Sequence, residues 1–111
     1  MIARKMRRLL IRLTYRSLLR RRLRKACKRL GIKPYKWQEA YALGESNYLA
    51  QGRRTGKTTA VMLFGLIRKT CKKEEIERLS QKDQGIRTAV QRDWWVWEYE
   101  KMRRKVEGLD K

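Results

Sequence analysis

The stretch that decides the predicted fold is residues 47–67, which read NYLAQGRRTGKTTAVMLFGLI. Residues 47–51 are the best strand candidate in the chain, and residues 60–67 are apolar on every side, which is typical of a buried helix. A basic loop that contains two glycines joins them over residues 52–59. The order of strand, loop and helix makes this stretch the predicted centre of the fold.

The loop reads Gly-Arg-Arg-Thr-Gly-Lys-Thr at residues 52–58, one residue shorter before its Gly-Lys pair than the phosphate-binding pattern G-x-x-x-x-G-K-[ST]. Gly56 would let the backbone turn tightly so that successive N–H groups point at a phosphate. Lys57 can reach the β- and γ-phosphates of ATP, and the Thr58 hydroxyl can complete the ligand shell of Mg²⁺. The alternative is a basic turn that only joins two elements. The loop residues predicted to bind the cofactor are Gly52, Arg53, Arg54, Thr55, Gly56, Lys57, Thr58 and Thr59.

Helices are predicted on both sides of this unit. Apolar residues recur at spacings of three and four over residues 2–30, which predicts one long helix. Gly31 and Pro34 end it, because glycine accepts the left-handed cap and proline cannot continue a helix. A short second helix is predicted over residues 35–43, and a final helix over residues 87–107.

The predicted fold class is mainly α with one short strand. A phosphate-binding loop normally belongs to a sheet of several parallel strands, and only one strand is found, so the prediction is a minimal strand–P-loop–helix unit, an incomplete α/β P-loop NTPase domain. One turn of helix is predicted at residues 75–79 inside a polar linker. The predicted division of the chain is a basic amphipathic helical arm (1–31), a P-loop nucleotide-binding unit (32–71), the linker (72–86) and a C-terminal aromatic-rich helix (87–111).

Charge is concentrated in the first third of the chain. The 111 residues include 31 Lys and Arg against 11 Asp and Glu, a formal charge of +20. Residues 1–38 hold 15 of the basic residues and none of the acidic ones. Such an arm predicts nucleic acid as a partner, bound with an affinity that weakens with salt. The leucines of the arm could also simply cover the rest of the domain, and packing combined with non-specific nucleic-acid contact is the favoured interpretation. Contact with an anionic membrane surface is the less favoured alternative.

Histidine and cysteine usage narrows the function classes. The sequence has no histidine, which excludes His-based catalytic triads and His-ligated metals. Its two cysteines, Cys27 and Cys71, cannot supply a four-cysteine zinc site and do not form a disulfide framework. A reducing, cytoplasmic environment is therefore expected. The longest apolar run, residues 60–67, is far shorter than the roughly 20 residues that a membrane span needs.

A dense aromatic stretch lies in the last predicted helix and includes Trp94, Trp95, Trp97 and Tyr99. Nucleic-acid bases could stack on such side chains. Tryptophans at helical spacing more often anchor a core or contact a partner, because a small domain needs the area that they bury. The second interpretation is favoured here.

Residues 33–68 resemble the start of the ATPase domain of phage terminase large subunits, the DNA-packaging motors, and more distantly superfamily 2 helicases. Many terminases have a shortened loop of the form small-Arg-x-x-Gly-Lys-Thr, which residues 52–58 match. The resemblance implies that Arg53 contacts the γ-phosphate of ATP. It also implies that Trp37 and Gln38 contact adenine, whereas core packing is an equally good explanation of this pair.

The resemblance implies an ATP-binding protein that associates with DNA. A hydrolytic member of this class needs a Walker B strand, several apolar residues that end in Asp-Glu, and the sequence contains none. No catalytic residue is therefore assigned, and hydrolysis would require an acid from a partner chain or a second copy. The alternative function is a small basic nucleic-acid-binding accessory protein without nucleotide chemistry, in which the loop is one more phosphate contact.

Overall fold

The computed structural model describes residues 2–49, 56–83 and 86–108, with side chains from residue 14 onward. Five helices form within these ranges. They are α1 (Ile2–Leu30), α2 (Lys36–Ala42), α3 (Lys57–Ile67), α4 (Lys73–Ser80) and α5 (Ala89–Glu107).

Helix α3 is the centre of the fold and contacts each of the other four helices. Its sequence is apolar on all faces after the first turn, so it must be covered from every side. Its buried residues are Ala60, Val61, Met62, Leu63, Gly65, Leu66 and Ile67. The surrounding helices contribute the rest of the core, chiefly Leu19, Leu23, Tyr41, Ile76, Leu79, Trp95 and Tyr99.

Two side chains fasten α2 to α3, one at each end. Gln38 near the start of α2 donates from Nε2 to the Gly56 carbonyl before α3, at 2.9 Å. Arg68 after the end of α3 donates from Nη1 to the Ala42 carbonyl at 2.6 Å and to the Phe64 carbonyl at 2.9 Å. Both ends of the pair are therefore fixed, and the two helices run in the same direction.

The predicted strand is wrong for the residues that the structure describes. Residues 47–49 have no regular structure, while residues 50 and 51 lie outside the described ranges. An isolated strand has no neighbour to accept its hydrogen bonds, and the Tyr48 N–H instead donates locally to the Ser46 hydroxyl at 3.1 Å. The Tyr48 ring is exposed and rests edge-on against Trp37.

The predicted fold class is corrected accordingly. In the ranges given above the chain is all-helical, and a strand–P-loop–helix unit is not seen. Residues 60–67 are apolar on every side, and this pattern correctly predicted that they are buried. They are buried by the surrounding helices. The prediction placed one strand before the loop because phosphate-binding loops usually follow strands, which is a property of other folds and not of these residues.

The remaining helices lie where their periodicity predicts them, with differences at the ends. Helix α1 has the predicted bounds, and α2 and α5 begin one and two residues later than predicted. Helix α4 has eight residues rather than a single turn. Ile76 and Leu79, three residues apart, give it one buried edge against the core.

Gly65 allows α3 to lie close to α4 and α5. A Cβ atom at this position would collide with Leu79 Cδ2 and lie 3.0 Å from the Tyr99 hydroxyl oxygen. Gly65→Ala is therefore expected to destabilise the protein by roughly 1–3 kcal/mol, although alanine is the better helix former by about 1 kcal/mol. Thermal unfolding measures the loss. A melting temperature equal to or above that of the wild type would contradict this packing. Ser17→Ala, at an exposed position of helix α1, serves as the control.

Burial of Tyr99 makes the stability of the protein fall at alkaline pH. Its ring stacks on Trp95 and its hydroxyl donates to the Thr70 carbonyl at 2.7 Å, and burial raises the pKa of this hydroxyl well above its ordinary value. The unfolded chain releases the phenolic proton near pH 10 and the folded chain retains it, so unfolding is favoured as the pH rises above about 10. The stability advantage of the wild type over Tyr99→Phe should shrink there by about 1.4 kcal/mol per pH unit, measured by urea unfolding. A constant difference would contradict the prediction, and the exposed Tyr48→Phe controls for the loss of a tyrosine.

Candidate phosphate-binding site

The candidate site lies at the start of α3. Gly56 precedes the helix in the left-handed conformation, with φ of 87°. Any other residue would be strained there, and its Cβ would collide with the Gln38 amide. The glycine therefore fixes the turn that presents Lys57, the first residue of α3, together with the first N–H groups of the helix. These N–H groups and the helix dipole favour an anion.

Gln38 joins the second helix to this turn. It is only 5% exposed, and its Oε1 accepts from the Tyr35 N–H at 2.8 Å while its Nε2 donates to the Gly56 carbonyl at 2.9 Å. One side chain thus caps α2 and positions the residue before α3. The structure brings Gln38 to the predicted loop, although it lies 18 positions from Gly56 in the chain. The neighbouring Trp37 is half-buried against the Tyr48 ring.

Asp83 is the site residue that sequence reasoning missed. Its Oδ2 accepts a hydrogen bond from the Thr58 hydroxyl at 2.6 Å, and the residue is only 1% exposed. It lies in the turn after α4, where its N–H donates to the Ser80 carbonyl at 3.1 Å and its carbonyl accepts from the Ile86 N–H at 3.0 Å. Asp83 does not fit the pattern of an acid at the end of an apolar strand, because the segment before it is largely polar and helical.

The charge of Asp83 also reaches Tyr41 in α2. Burial is the main cause that raises the pKa of the Tyr41 hydroxyl, the Asp83 carboxylate raises it further, and the Arg68 guanidinium lowers it. Helices α2 and α3 and the turn after α4 therefore meet around one buried carboxylate. This places a negative charge beside the hydroxyl that the sequence assigned to Mg²⁺.

Part of the predicted loop lies outside the described residues, namely Gly52, Arg53, Arg54 and Thr55. The contact of Arg53 with the γ-phosphate therefore stays a prediction. Of the other predicted residues, Gly56, Lys57, Thr58 and Thr59 lie together at the start of α3, each partly exposed.

The donor atoms at the site suit Mg²⁺. In nucleotide sites this ion takes one or two oxygen ligands from the protein and completes its octahedron with phosphate oxygens and water. The Thr58 hydroxyl and the Asp83 carboxylate are a pair of this kind. The described residues contain no group of three or more His, Cys, Asp or Glu side chains that could hold a metal ion.

The structure divides the aromatic stretch of α5 into two sets. Trp95 and Tyr99 are fully buried, as the core interpretation predicts, although Trp95 Nε1 has no hydrogen-bond partner among the residues that the structure describes. Trp94 and Trp97 are 49% and 59% exposed. The Lys101 ammonium lies 5.2 Å from the centre of the Trp97 ring, within the range of a cation–π interaction.

Comparison with known proteins gives no relatives. A scan against family models, a search of curated proteins and a search of solved structures each find no match to this chain. The resemblance to terminase ATPases thus rests on the motif residues alone. Within the described ranges, no helix combines the length and the apolar composition that crossing a membrane requires.

The bond between Thr58 and Asp83 can be tested by a double-mutant cycle. Thr58→Val and Asp83→Ala are expected to show a coupling energy of about 1.5–3 kcal/mol, the range for a buried hydrogen bond to a charged group. Urea unfolding of the four proteins measures it. Thr59→Val with Asp83→Ala is the matched control, since Thr59 is the next hydroxyl along the helix. Additivity within about 0.5 kcal/mol for the Thr58 pair would contradict the contact.

Proposed function

We propose that the protein binds Mg²⁺–ATP at the start of α3 and associates with nucleic acid. The single observation that carries the nucleotide site is the 2.6 Å hydrogen bond from Thr58 to the buried Asp83. This bond joins a hydroxyl next to the Gly-Lys pair of the phosphate-binding motif to a carboxylate. The sequence by itself shows no acid at the end of an apolar strand, which is where proteins of this class carry one.

Lys57 and the helix start would hold the phosphates. Lys57 is the first residue of α3, so its ammonium group and the N–H groups of the first turn can act on the same anion. Gly56 supports this arrangement because its left-handed backbone forms the turn before the helix, and the missing side chain leaves room for the Gln38 amide that fixes this turn. Arg53 is proposed to contact the γ-phosphate, on the resemblance to terminase loops.

Thr58 and Asp83 would hold the metal. When bound, Mg²⁺ neutralises part of the triphosphate charge and fixes its orientation. The Thr58 hydroxyl would be a neutral ligand of the metal. The Asp83 carboxylate would add a negative charge, either as a second ligand or as the hydrogen-bond acceptor that orients the Thr58 hydroxyl. Asp83 also positions Thr58 before any ligand arrives.

Gln38 and Trp37 are proposed to select the base. A glutamine amide has two N–H donors and two acceptor lone pairs, and the bonds to Tyr35 and Gly56 use one of each. The remaining donor and lone pair match the N7 and N6 groups of adenine. Because the same side chain contacts Gly56, occupancy of the base site would be coupled to the phosphate turn.

Turnover by the isolated chain is not part of the proposal. Activation of water requires a further acid or base, and the sequence lacks the Asp-Glu strand end that supplies one in this class. A partner chain or a second copy is proposed as the source. Nucleic acid is proposed to bind along α1, whose exposed basic residues include Arg16, Arg21, Arg24, Lys25 and Lys28.

Calorimetry with Mg²⁺–ATP at about 0.3 M salt tests the nucleotide site, because surface electrostatics are largely screened there. Lys57→Ala is expected to weaken binding at least tenfold, or about 1.4 kcal/mol. Lys73→Ala is the matched control, since Lys73 is likewise the first residue of a helix, α4, but lacks the glycine turn and the Thr–Asp pair. It should leave the affinity within twofold of the wild type.

Tripolyphosphate and Thr58→Val complete the test. A nucleotide site predicts preference for ATP over tripolyphosphate, and a loss of the Mg²⁺-dependent part of the affinity in Thr58→Val. Weak binding that is equal for both ligands and indifferent to Lys57 would overturn the proposal. That result would favour the alternative, a basic accessory protein that binds nucleic acid without nucleotide chemistry.

A further inference from the structure

A basic cleft lies at the other end of α3 from the nucleotide site. It has a volume of about 500 Å³ and is formed by α1, the end of α3 and α5. The start and end of α3 are about 15 Å apart at 1.5 Å per residue, so the two sites are separate. The lining includes six cationic side chains and one carboxylate: Arg21, Arg22, Lys25, Arg29, Lys69, Arg103 and Glu107.

Three of the cations are held in place by contacts within the fold. Arg22 donates from Nη1 to the Ile67 carbonyl at 3.0 Å, and Arg29 donates to the Val106 carbonyl. Arg103 forms ion pairs with Glu100 at 2.8 Å and Glu107 at 3.0 Å. The arginines bonded to carbonyls keep their full charge, so only Arg103 is neutralised.

The other three cations line the cleft and have no charged partner in the described ranges. Arg21, Lys25 and Lys69 are exposed, and within the described part of the chain none makes an ion pair or a side-chain hydrogen bond. Arg21 and Lys25 are four residues apart and therefore adjacent on one face of α1. A concave surface lined by one sign of charge concentrates its potential on whatever enters.

Lys69 has an unusual backbone for its residue type. It follows the end of α3 with φ of 56°, the one non-glycine residue with positive φ in the described ranges. Its N–H donates to the Leu66 carbonyl and the Thr70 N–H to the Gly65 carbonyl, which is the helix ending that glycine usually provides. A lysine at this position costs conformational free energy, and such costs are concentrated at functional sites.

We propose that this cleft binds the phosphodiester backbone of nucleic acid, with Lys69, Arg21 and Lys25 as its phosphate contacts. The inference rests on the nucleic-acid association proposed above but not on the nucleotide site. The exposed Arg24 and Lys28 on the adjoining face of α1 continue the positive surface beyond the cleft. A continuous polyanion can follow such a surface, whereas a small anion fills only the cleft.

Lys69→Gly separates a binding role from a structural one. Glycine removes the backbone strain, so the melting temperature should rise by a few degrees. Loss of a phosphate contact should at the same time weaken binding of a labelled 20-nucleotide DNA by about threefold to tenfold at 0.1 M salt. The slope of log K against log salt should fall by about one. A purely structural lysine would leave both the affinity and the slope unchanged.

Lys72→Gly is the matched control. Lys72 is three residues away, lies outside the cleft and caps α4 with an extended backbone that tolerates glycine. Its DNA affinity and salt slope should stay close to those of the wild type. The double variant Arg21→Gln/Lys25→Gln tests the opposite wall and should reduce the slope by about two.

The outcomes identify which anion binds in the cleft, and they separate failure of the cleft proposal from failure of the proposed nucleic-acid association. Equal DNA affinity in Lys69→Gly and Lys72→Gly, while the wild type binds DNA, would overturn the cleft alone. Absence of DNA binding by the wild type would overturn the nucleic-acid association together with the cleft, and Mg²⁺–ATP binding to Lys69→Gly would still report on the nucleotide site. Poly-glutamate that competes as well as unlabelled DNA would indicate an acidic protein partner instead, and tripolyphosphate that competes equally would indicate a small phosphate ligand.

Discussion

The fold depends on the burial of α3 on all sides. A helix without a polar face after its first turn cannot lie on a surface, so four other helices must surround it. This requirement explains why a chain with a formal charge of +20 forms a core at all. The leucines of α1, the paired rings of Trp95 and Tyr99, and the buried edge of α4 each cover one side of the same helix.

Because most of its middle is buried, the two proposed binding sites lie at the two ends of α3. At its start, Gly56, Lys57 and Thr58 are partly exposed, and the Thr58 hydroxyl donates to the buried Asp83 carboxylate. At its end, Lys69 opens into the cleft with α1 and α5. Because a helix presents N–H groups at its start and carbonyls at its end, the two ends differ in what they bind directly. At the end of α3 the Arg22 guanidinium donates to the Ile67 carbonyl, and the exposed cations beside it are the ones proposed to bind an external anion.

The proposed nucleotide site and the proposed nucleic-acid cleft lie at opposite ends of one helix, α3. The proposed arrangement does not need the sheet that other proteins use to position their phosphate loop. Gln38 and Asp83 take over part of that task, since one fixes the turn before α3 and the other fixes the hydroxyl of Thr58. Exposed Trp94 and Trp97 lie on α5, the helix that also forms one wall of the basic cleft.

The sequence by itself determined the features that depend on local periodicity and on single residues. Residues 2–30 form the helix that their apolar spacing predicts, and residues 60–67 are buried as their composition requires. Gly56 was predicted to allow a tight turn before the helix, and its backbone is left-handed there. These features could be predicted because helix formation and the cost of positive φ are properties of a few adjacent residues.

Only the tertiary structure decided what depends on distant partners. A strand at residues 47–51 could not be judged from its own sequence, because a strand is stable only beside another. Asp83 belongs to the candidate site because the fold brings it into hydrogen-bond contact with Thr58, 25 positions away. No pattern in its own segment of the sequence predicts this. Trp95 is buried and the adjacent Trp94 is exposed because only Trp95 lies on the side of α5 that packs against the other helices. Neighbouring residues of one type differ in role because burial is set by the whole fold and not by the residue.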